Sequence, residues 1–423
     1  MIHDSKHIHM VGIKGVGMAA MAELLMGEGK QITGSDTNEE FFTDTVLKKL
    51  GIPVRHFSAR NISSTIDLVI RSSAYGDEHP EVAAAKKLGI PVIPYSNAVA
   101  ELFNAKRGIL VTGTHGKTTT TAMIGCILED ADFDPSVLVG SMVSRWGGNA
   151  RVGRSEWFVA EGDEYQKKFL LLKPEVLVVT SIEYDHPDFF KTEQEYKNAF
   201  LKLISSMPPR GLLIAEKRLK RIIKKAPCAI VWYGIHGDTQ GRHVELNGTA
   251  ALAVAKHLGI SSKKAKATLA AFEGTARRTE FYTAADAPVV VIDDYAHHPT
   301  EIKTTLAALR SKYPKREILA LFQPHTYSRT HALLNAFSRA FGNADIVVVL
   351  PIYSSAREQK ENFPQDLEER LQKKIESAGR KKVFYMSFKE AAAYCKNLPN
   401  TKKKRVIITL GAGDGWKIAK ELA

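Results

Sequence analysis

Short apolar runs with little polar alternation recur along the chain, at residues 9–11, 66–70, 109–111, 157–160, 176–180, 289–292, 318–322, 346–350 and 406–410. Runs of this kind read as strands buried on both faces, and helical patterns lie between many of them, which predicts parallel sheets in α/β domains. Two echoing segments, Leu50-Gly51-Ile52-Pro53-Val54 and Leu88-Gly89-Ile90-Pro91-Val92, read as helices that stop at glycine and hand over to strands. Open α/β sheets bind ligands beyond the carboxyl ends of their strands. The residues just beyond these runs are rich in chemistry. Gly12-Ile13-Lys14-Gly15-Val16-Gly17 succeeds the first run, Gly113-Thr114-His115-Gly116-Lys117-Thr118 the third, and Glu161 and Asp163 the fourth. Later runs lead into Asp185-His186, Asp293-Asp294-Tyr295, Gln323-Pro324-His325 and Gly411-Ala412-Gly413-Asp414.

A chain of 423 residues exceeds one core at roughly 100–200 residues per domain. The groupings predict three domains, at 1–105, 106–283 and 284–423. Lys and Arg number 59 against 46 Asp and Glu, a net +13 that favours anionic partners. The densest basic runs, 217–225 and 402–405, read as solvated faces, the first with the apolar spacing of a surface helix. No aromatic-basic motif accompanies them, so no nucleic acid partner is expected. No apolar run approaches the ~18–20 residues that span a bilayer, so membrane insertion is not expected either. Three widely spaced cysteines offer neither a disulfide framework nor a zinc site, and the expected compartment is the cytoplasm.

The strongest motif is Gly113-Thr114-His115-Gly116-Lys117-Thr118-Thr119, set between a strand and a helical run. Glycines let backbone N–H groups approach phosphate oxygens, and a helix amino terminus adds partial positive charge. Lys117 would reach the terminal phosphates, and the Thr118 hydroxyl would sit on Mg²⁺. The glycine spacing departs from G-x-x-x-x-G-K-[ST], and a bare Gly-x-x-Gly-Lys-Thr also arises as a turn with a surface lysine. The flanking strand and helix favour a nucleotide site. Mg²⁺ prefers oxygen ligands, which makes Glu161 a candidate; His186 could hold a second ion, although imidazole is not the usual choice.

The earlier loop carries Gly12, Gly15 and Gly17, with Asp36 beyond it, in the manner of a dinucleotide fingerprint. Lys14 stands where that fingerprint has its central glycine, which weakens an NAD assignment and suits a nucleotide diphosphate. A tight turn without a ligand is the alternative for this loop taken alone.

Together these motifs resemble the bacterial Mur ligases, three-domain ATP-dependent amide-forming enzymes of peptidoglycan synthesis. Thr112-Gly113-Thr114-His115-Gly116-Lys117-Thr118-Thr119-Thr120 is similar to the family's shortened phosphate loop, Glu161-Gly162-Asp163-Glu164 to its acidic segment, and Asp185-His186 to its metal-binding pair. Asp293-Asp294-Tyr295-Ala296-His297-His298-Pro299 resembles the start of its carboxy-terminal domain. Phe322-Gln323-Pro324-His325-Thr326-Tyr327-Ser328-Arg329-Thr330 points to the branch that adds the first amino acid rather than a whole tripeptide. The resemblance implies a Rossmann-like amino-terminal domain, a P-loop-type central ATPase domain and a Rossmann-like carboxy-terminal domain. It also implies ATP and Mg²⁺ as cofactors, UDP-N-acetylmuramate and L-alanine as partners, and a monomer or homodimer. By the same resemblance Thr118, Glu161 and His186 hold metal, while Lys117 and Arg278 neutralise moving charge. His243, Asn247 and Asp294 meet the adenine nucleotide, and Tyr295, His297 and Arg329 place L-alanine. Gly12, Gly15, Gly17, Asp36, Ser72 and Ser73 hold the UDP portion. Two departures stand out: Ser181 and Val244 replace family asparagines, and the stretch 227–241 is short.

Overall fold

The computed structural model describes residues 1–41, 43–237, 241–354, 358–379, 382–398 and 404–423. Among the described residues three sheets form, of five, seven and six strands. By contacts the chain divides into two compact units: Met1–Ile182, Lys197–Gly234 and Asn247–Thr275 in one, Glu183–Tyr196, Ile235–Leu246 and Ala276–Ala423 in the other. No helix among the described residues is long and apolar enough to cross a membrane.

The five-stranded sheet is wholly parallel, in the order Val54–His56, Gln31–Asp36, His7–Val11, Leu68–Arg71, Val92–Pro94. Its order reverses beside His7–Val11, so the turn after that strand lies at the topological switch point where such sheets take ligands. The helices Thr43–Lys49 and Pro80–Lys87 end as their sequences imply: Gly51 and Gly89 adopt φ of +71° and +72°. Ile52 and Ile90 then return N–H bonds to Leu47 and Ala85, at 3.0 and 2.9 Å, and bury their side chains.

Under this sheet Glu81 is fully buried and gathers three elements. It accepts from Ser35 Oγ, from Ser58 N at 3.0 Å and from Asn61 Nδ2 at 2.6 Å, and faces His9 Nε2 at 3.4 Å. Burial alone would raise its carboxyl, but these partners outweigh it and hold the group at about 2, against an ordinary 4.5. A depressed folded value means the stabilisation is fully present above the unfolded value and fades as pH falls towards the folded one. Linkage sets its ceiling at roughly 3 kcal/mol. Glu81→Gln should therefore lower the melting midpoint at pH 7 by several degrees, with the gap to wild type narrowing below pH ~4.5. A gap that stays constant from pH 7 to pH 3 would show that Glu81 acts without its charge.

The seven-stranded sheet centres on the parallel strands Val176–Val179, Arg107–Thr112 and Trp157–Glu161, and ends in the antiparallel hairpin Ser136–Val143 with Gly148–Arg151. The helix Val16–Gly27 is apolar almost all round because it has a partner on more than one side. It lies on its own sheet and also meets the hairpin: Asn149 Nδ2 donates to Val16 O at 2.9 Å and to Val139 O at 3.1 Å. The basic run at 217 forms a single 3₁₀ turn, Lys217–Arg221, rather than a longer helix; Leu219 and Ile223 are buried and its cations exposed.

The six-stranded sheet runs Glu280–Phe281, Val289–Asp294, Arg405–Leu410, Glu317–Phe322, Ile346–Val349, Val383–Tyr385, parallel except for the first edge strand. The carboxyl ends of its three central neighbours therefore open side by side, carrying the turns after Asp294, Leu410 and Phe322. Of the basic run at 402, residues 402 and 403 lie outside the described residues, and Arg405 pairs with Glu317 at 2.7 Å.

Candidate functional site

In the first unit, Arg107–Thr112 delivers the phosphate loop to the amino end of the helix Lys117–Asp130. Gly116, at φ +77°, is the residue before that helix, and a Cβ there would lie 2.5 Å from Asn247 Oδ1. Only glycine fits such a turn, and Asn247 covers it. Neighbouring strand ends brace the loop. Ser181 accepts from His115 N at 2.8 Å through Oγ and from Thr114 N at 3.1 Å through its carbonyl, and Thr180 Oγ1 donates to His115 O at 2.5 Å.

Lys117 Nζ folds over the loop, donating to Gly113 O at 2.6 Å and Thr114 O at 3.2 Å, and pairs with Glu164 at 3.0 Å. Burial works against its charge, but Glu164, Glu161 and Asp163 more than compensate and raise its pKa. The ammonium stays charged where a phosphate would arrive. Thr118 Oγ1 donates to Glu161 Oε1 at 3.1 Å, while Gly140 N donates to Oε2 at 2.9 Å. These two oxygen donors side by side are the hard, oxygen-only set that Mg²⁺ selects. Thr119, next in the helix, is half-buried.

The glycine turn of the first sheet is equally ordered. Gly12 N and Ile13 N donate to Ser35 O at 2.9 and 3.1 Å, and Ser72 N donates to Val11 O at 2.9 Å. Gly12, at φ +79°, has no room for a side chain: a Cβ would meet Tyr75 and Ser72 at 2.6 and 2.9 Å. Ser73 and Gly15 are exposed beside it. Asp36 is buried, its carboxylate taken by Lys14 N at 2.7 Å and Thr37 N at 2.8 Å, so it shapes the turn from within. Lys14 does not offer its ammonium to the turn. Nζ donates to Glu39 O at 2.8 Å and pairs with Asp44 at 3.1 Å, because that carboxylate gives it a partner the open turn lacks.

The second unit gathers another set. Arg277 pairs with Asp293 at 2.9 Å, and both Arg277 and Arg278 lie over the Tyr295 ring, at 5.1 and 5.0 Å. Arg278 also approaches Glu301 at 3.9 Å. Asp294 is buried and accepts from Thr279 N at 2.7 Å and Ala296 N at 2.9 Å, an internal bracing role beside any contact with ribose. His243 opens the helix His243–His257, with its Nδ1 buried and unpaired among the described residues. Burial lowers its pKa, against the opposing pull of Asp294. A neutral imidazole with an orphan nitrogen suits a base or ribose contact. Val244, next in the helix, is exposed.

Arg329 is buried and its fork is engaged. Nε donates to Asp185 Oδ1 at 2.6 Å, Nη2 to Asp185 Oδ2 at 3.2 Å, and Nη1 to His325 Nδ1 and O at 3.0 and 3.3 Å. Of five guanidinium hydrogens, these bonds leave one among the described residues, on Nη2. The fork expected to grip an amino acid's carboxylate is thus closed on Asp185, whose own carboxyl, despite burial, Arg329 holds well below the usual range. His186 comes next at φ +55°, its Nε2 3.9 Å from Asp185.

Two imidazoles complete the group with opposite polarity. His297 Nδ1 lies 3.0 Å from Tyr295 O, which only accepts, so Nδ1 carries the hydrogen and Nε2 the lone pair. His325 Nδ1 accepts from Arg329, so its hydrogen is on Nε2. Their rings are 5.9 Å apart, and burial pushes them down to about 4 and about 2, so both are neutral. His325 stacks on Tyr353 at 5.2 Å. Sequence reasoning does not single out His325, although it lies in the Phe322–Thr330 segment four positions before Arg329. Glu164 and Asp185 likewise stand in recognisable motifs whose sequence does not reveal their partners.

Three family models match consecutive stretches of the chain: the Mur ligase catalytic domain at residues 7–107, the Mur ligase middle domain at 111–270, and the Mur ligase glutamate ligase domain at 277–413. A UDP-N-acetylmuramate–L-alanine ligase of Desulfitobacterium hafniense is 40% identical over 98% of this chain and 99% of its own length. The ligase of that name from a Sulfurihydrogenibium species is 35% identical, over 99% and 97%. Among solved structures, the UDP-N-acetylmuramate-alanine ligase of Thermotoga maritima superposes with a TM-score of 0.78 at 25% identity, covering 99% of this chain and 98% of that one. A murein peptide ligase of Psychrobacter arcticus shares the fold, with a TM-score of 0.72 at 22% identity over 99% and 98%.

Proposed function

The chain belongs to the Mur ligase family, and we infer that it joins L-alanine to the lactyl carboxylate of UDP-N-acetylmuramate at the expense of ATP, in peptidoglycan precursor synthesis in the cytoplasm. The observation that carries this reading is the phosphate loop, with Lys117 held charged above Gly113 and the oxygens of Thr118 and Glu161 set together. Three domains, 1–105, 106–283 and 284–423, would divide the work among sugar nucleotide, ATP and amino acid.

A carboxylate does not couple to an amine in water until its oxygen becomes a leaving group. In this reading the lactyl carboxylate attacks the γ-phosphorus of ATP and ADP departs; the amine then attacks the carbonyl carbon of the resulting acyl phosphate, and inorganic phosphate leaves as the amide forms. Lys117 and the loop N–H groups stabilise charge as it moves from the γ-phosphate to the β-phosphate oxygen. Thr118 and Glu161 would hold Mg²⁺, with His186 at a second ion; the metal's contribution is to neutralise phosphate charge. His243, Asn247, Arg278 and Asp294 would contact or frame the adenine nucleotide.

For the second half-reaction the amine must shed a proton. His297 is neutral at working pH, so its Nε2 lone pair can accept a hydrogen bond from the amine and help to place it, while Tyr295 O keeps the ring in the required tautomer. The His325 Nε2–H and the remaining Arg329 hydrogen are donors of the kind an amino acid's carboxylate accepts. In the sugar-nucleotide site, the 12–17 turn with Ser72 and Ser73 would receive the uridine diphosphate, and Asp36 would fix the turn's shape. Phosphate release in the presence of ATP and UDP-N-acetylmuramate should depend on L-alanine. Release supported instead by the tripeptide would assign the chain to cell-wall recycling.

A further inference from the structure

The strand Val92–Pro94 hands over to the helix Tyr95–Asn104 at the same carboxyl edge of the sheet as the glycine turn. Tyr95, the first residue of that helix, is half-buried with its hydroxyl against Gly17. A Cβ on Gly17 would lie 2.5 Å from Tyr95 Oη and 2.6 Å from Cζ. Gly17 must therefore stay bare because the phenol occupies the space its side chain would need. A tyrosine packed in this way usually finds a hydrogen-bond partner. Among the described residues the Tyr95 hydroxyl has none. Burial, with the nearby charges of Asp163 and Glu161, raises its pKa, so the group is a donor throughout the working range.

Two further facts narrow its role. Gly17 is the second residue of the helix Val16–Gly27, whose free N–H groups are where an anion would settle. Lys14, the only cation within the 12–17 turn, is committed to Asp44 and Glu39 O. A diphosphate on this helix end would thus meet backbone donors from the turn and lack a side-chain donor from it. Phenylalanine would fill the space as well as tyrosine does, so packing alone does not account for the hydroxyl.

We propose that the Tyr95 hydroxyl donates directly to a diphosphate oxygen of the sugar nucleotide, making Tyr95 a substrate-binding residue of the first site. The assignment rests on the function proposed above. The test is Tyr95→Phe in the full chain, titrated calorimetrically with UDP, UDP-N-acetylglucosamine, UDP-N-acetylmuramate and ADP. A hydrogen bond to a charged acceptor predicts about ten- to hundredfold weaker binding of all three uridine ligands, with ADP and the melting midpoint unchanged. Gly17→Ala, whose Cβ would push the phenol aside, should produce the same selective loss. In steady state the KM for UDP-N-acetylmuramate should rise while kcat is kept.

Uridine affinities within twofold of wild type would overturn the proposal. So would a loss confined to UDP-N-acetylmuramate, which would place the contact at the acid, or an equal loss for ADP, which would mark a general disturbance. Failure of the underlying reading looks different. Wild-type protein that binds UDP, loses it in Tyr95→Phe, yet releases no phosphate with L-alanine would sink the ligase assignment and leave Tyr95 in place. Wild-type protein that binds no uridine nucleotide would end both.

Discussion

Lys117→Ala should reduce amine-dependent phosphate release by about a hundred- to a thousandfold or more, the usual loss when a charge-stabilising donor leaves a transition state. The native contacts add a second effect. The Glu164 side chain is 2% exposed and has the Lys117 ammonium at 3.0 Å, so the substitution takes a cation away from a buried carboxylate. Stability should fall as well, by about 3–5 kcal/mol if nothing rearranges. The two effects separate in the double variant Lys117→Ala with Glu164→Gln. Removing the Glu164 charge should recover most of the lost melting temperature and none of the activity. Activity recovered along with stability would mean that Lys117 only holds the loop together. Full activity in Lys117→Ala would remove the phosphate-loop assignment.

The other large effect is expected at Asp185. Its carboxylate and the Arg329 guanidinium are 5% and 4% exposed and meet at 2.6 Å. Asp185→Ala strands a buried guanidinium and should cost about 3–5 kcal/mol, well above the typical cost of a point substitution. The chain has two compact units, so the loss should appear in the transition of the unit holding Arg329 rather than as a uniform shift. Function should suffer in a specific way. With its Asp185 anchor gone, Arg329 no longer presents Nη1 to His325 in a fixed direction, and the KM for L-alanine should rise more than that for ATP. Asp185→Asn, which keeps the acceptor oxygen, should lie between. A melting curve for Asp185→Ala that overlays wild type would show that the pair contributes nothing to the fold.

Much of the architecture is legible in the chain because buried parallel strands carry their signature locally. Each apolar run overlaps a strand, and the two glycine-ended echoes form helix-to-strand joints with φ near +70°. The strand Gln31–Asp36 is harder to see. Its Thr33, Ser35 and Asp36 are polar because they serve His9, Glu81 and the Lys14 backbone from inside the fold. The hairpin strand Gly148–Arg151 is short and polar for a related reason: Asn149 spends its amide on Val16 and Val139.

In the candidate site, residue types and strand-end positions are legible, and partnerships are not. Lys14 has the look of a phosphate ligand until Asp44 and Glu39 claim it, and Arg329 that of an open fork until Asp185 closes it. Asp185 and Arg329 are 144 positions apart, so no local pattern announces the pair. His325 has a visible clue in its segment, but its tautomer depends on a hydrogen bond that only folding brings about.

The most direct measurement combines ATP, UDP-N-acetylmuramate and L-alanine with the full chain and identifies the products by mass spectrometry. The expected outcome is UDP-N-acetylmuramoyl-L-alanine formed in equal amounts with ADP and phosphate, and no turnover when L-alanine is left out. ATP consumed without an amide product, or an amide formed only from the tripeptide, would contradict the account.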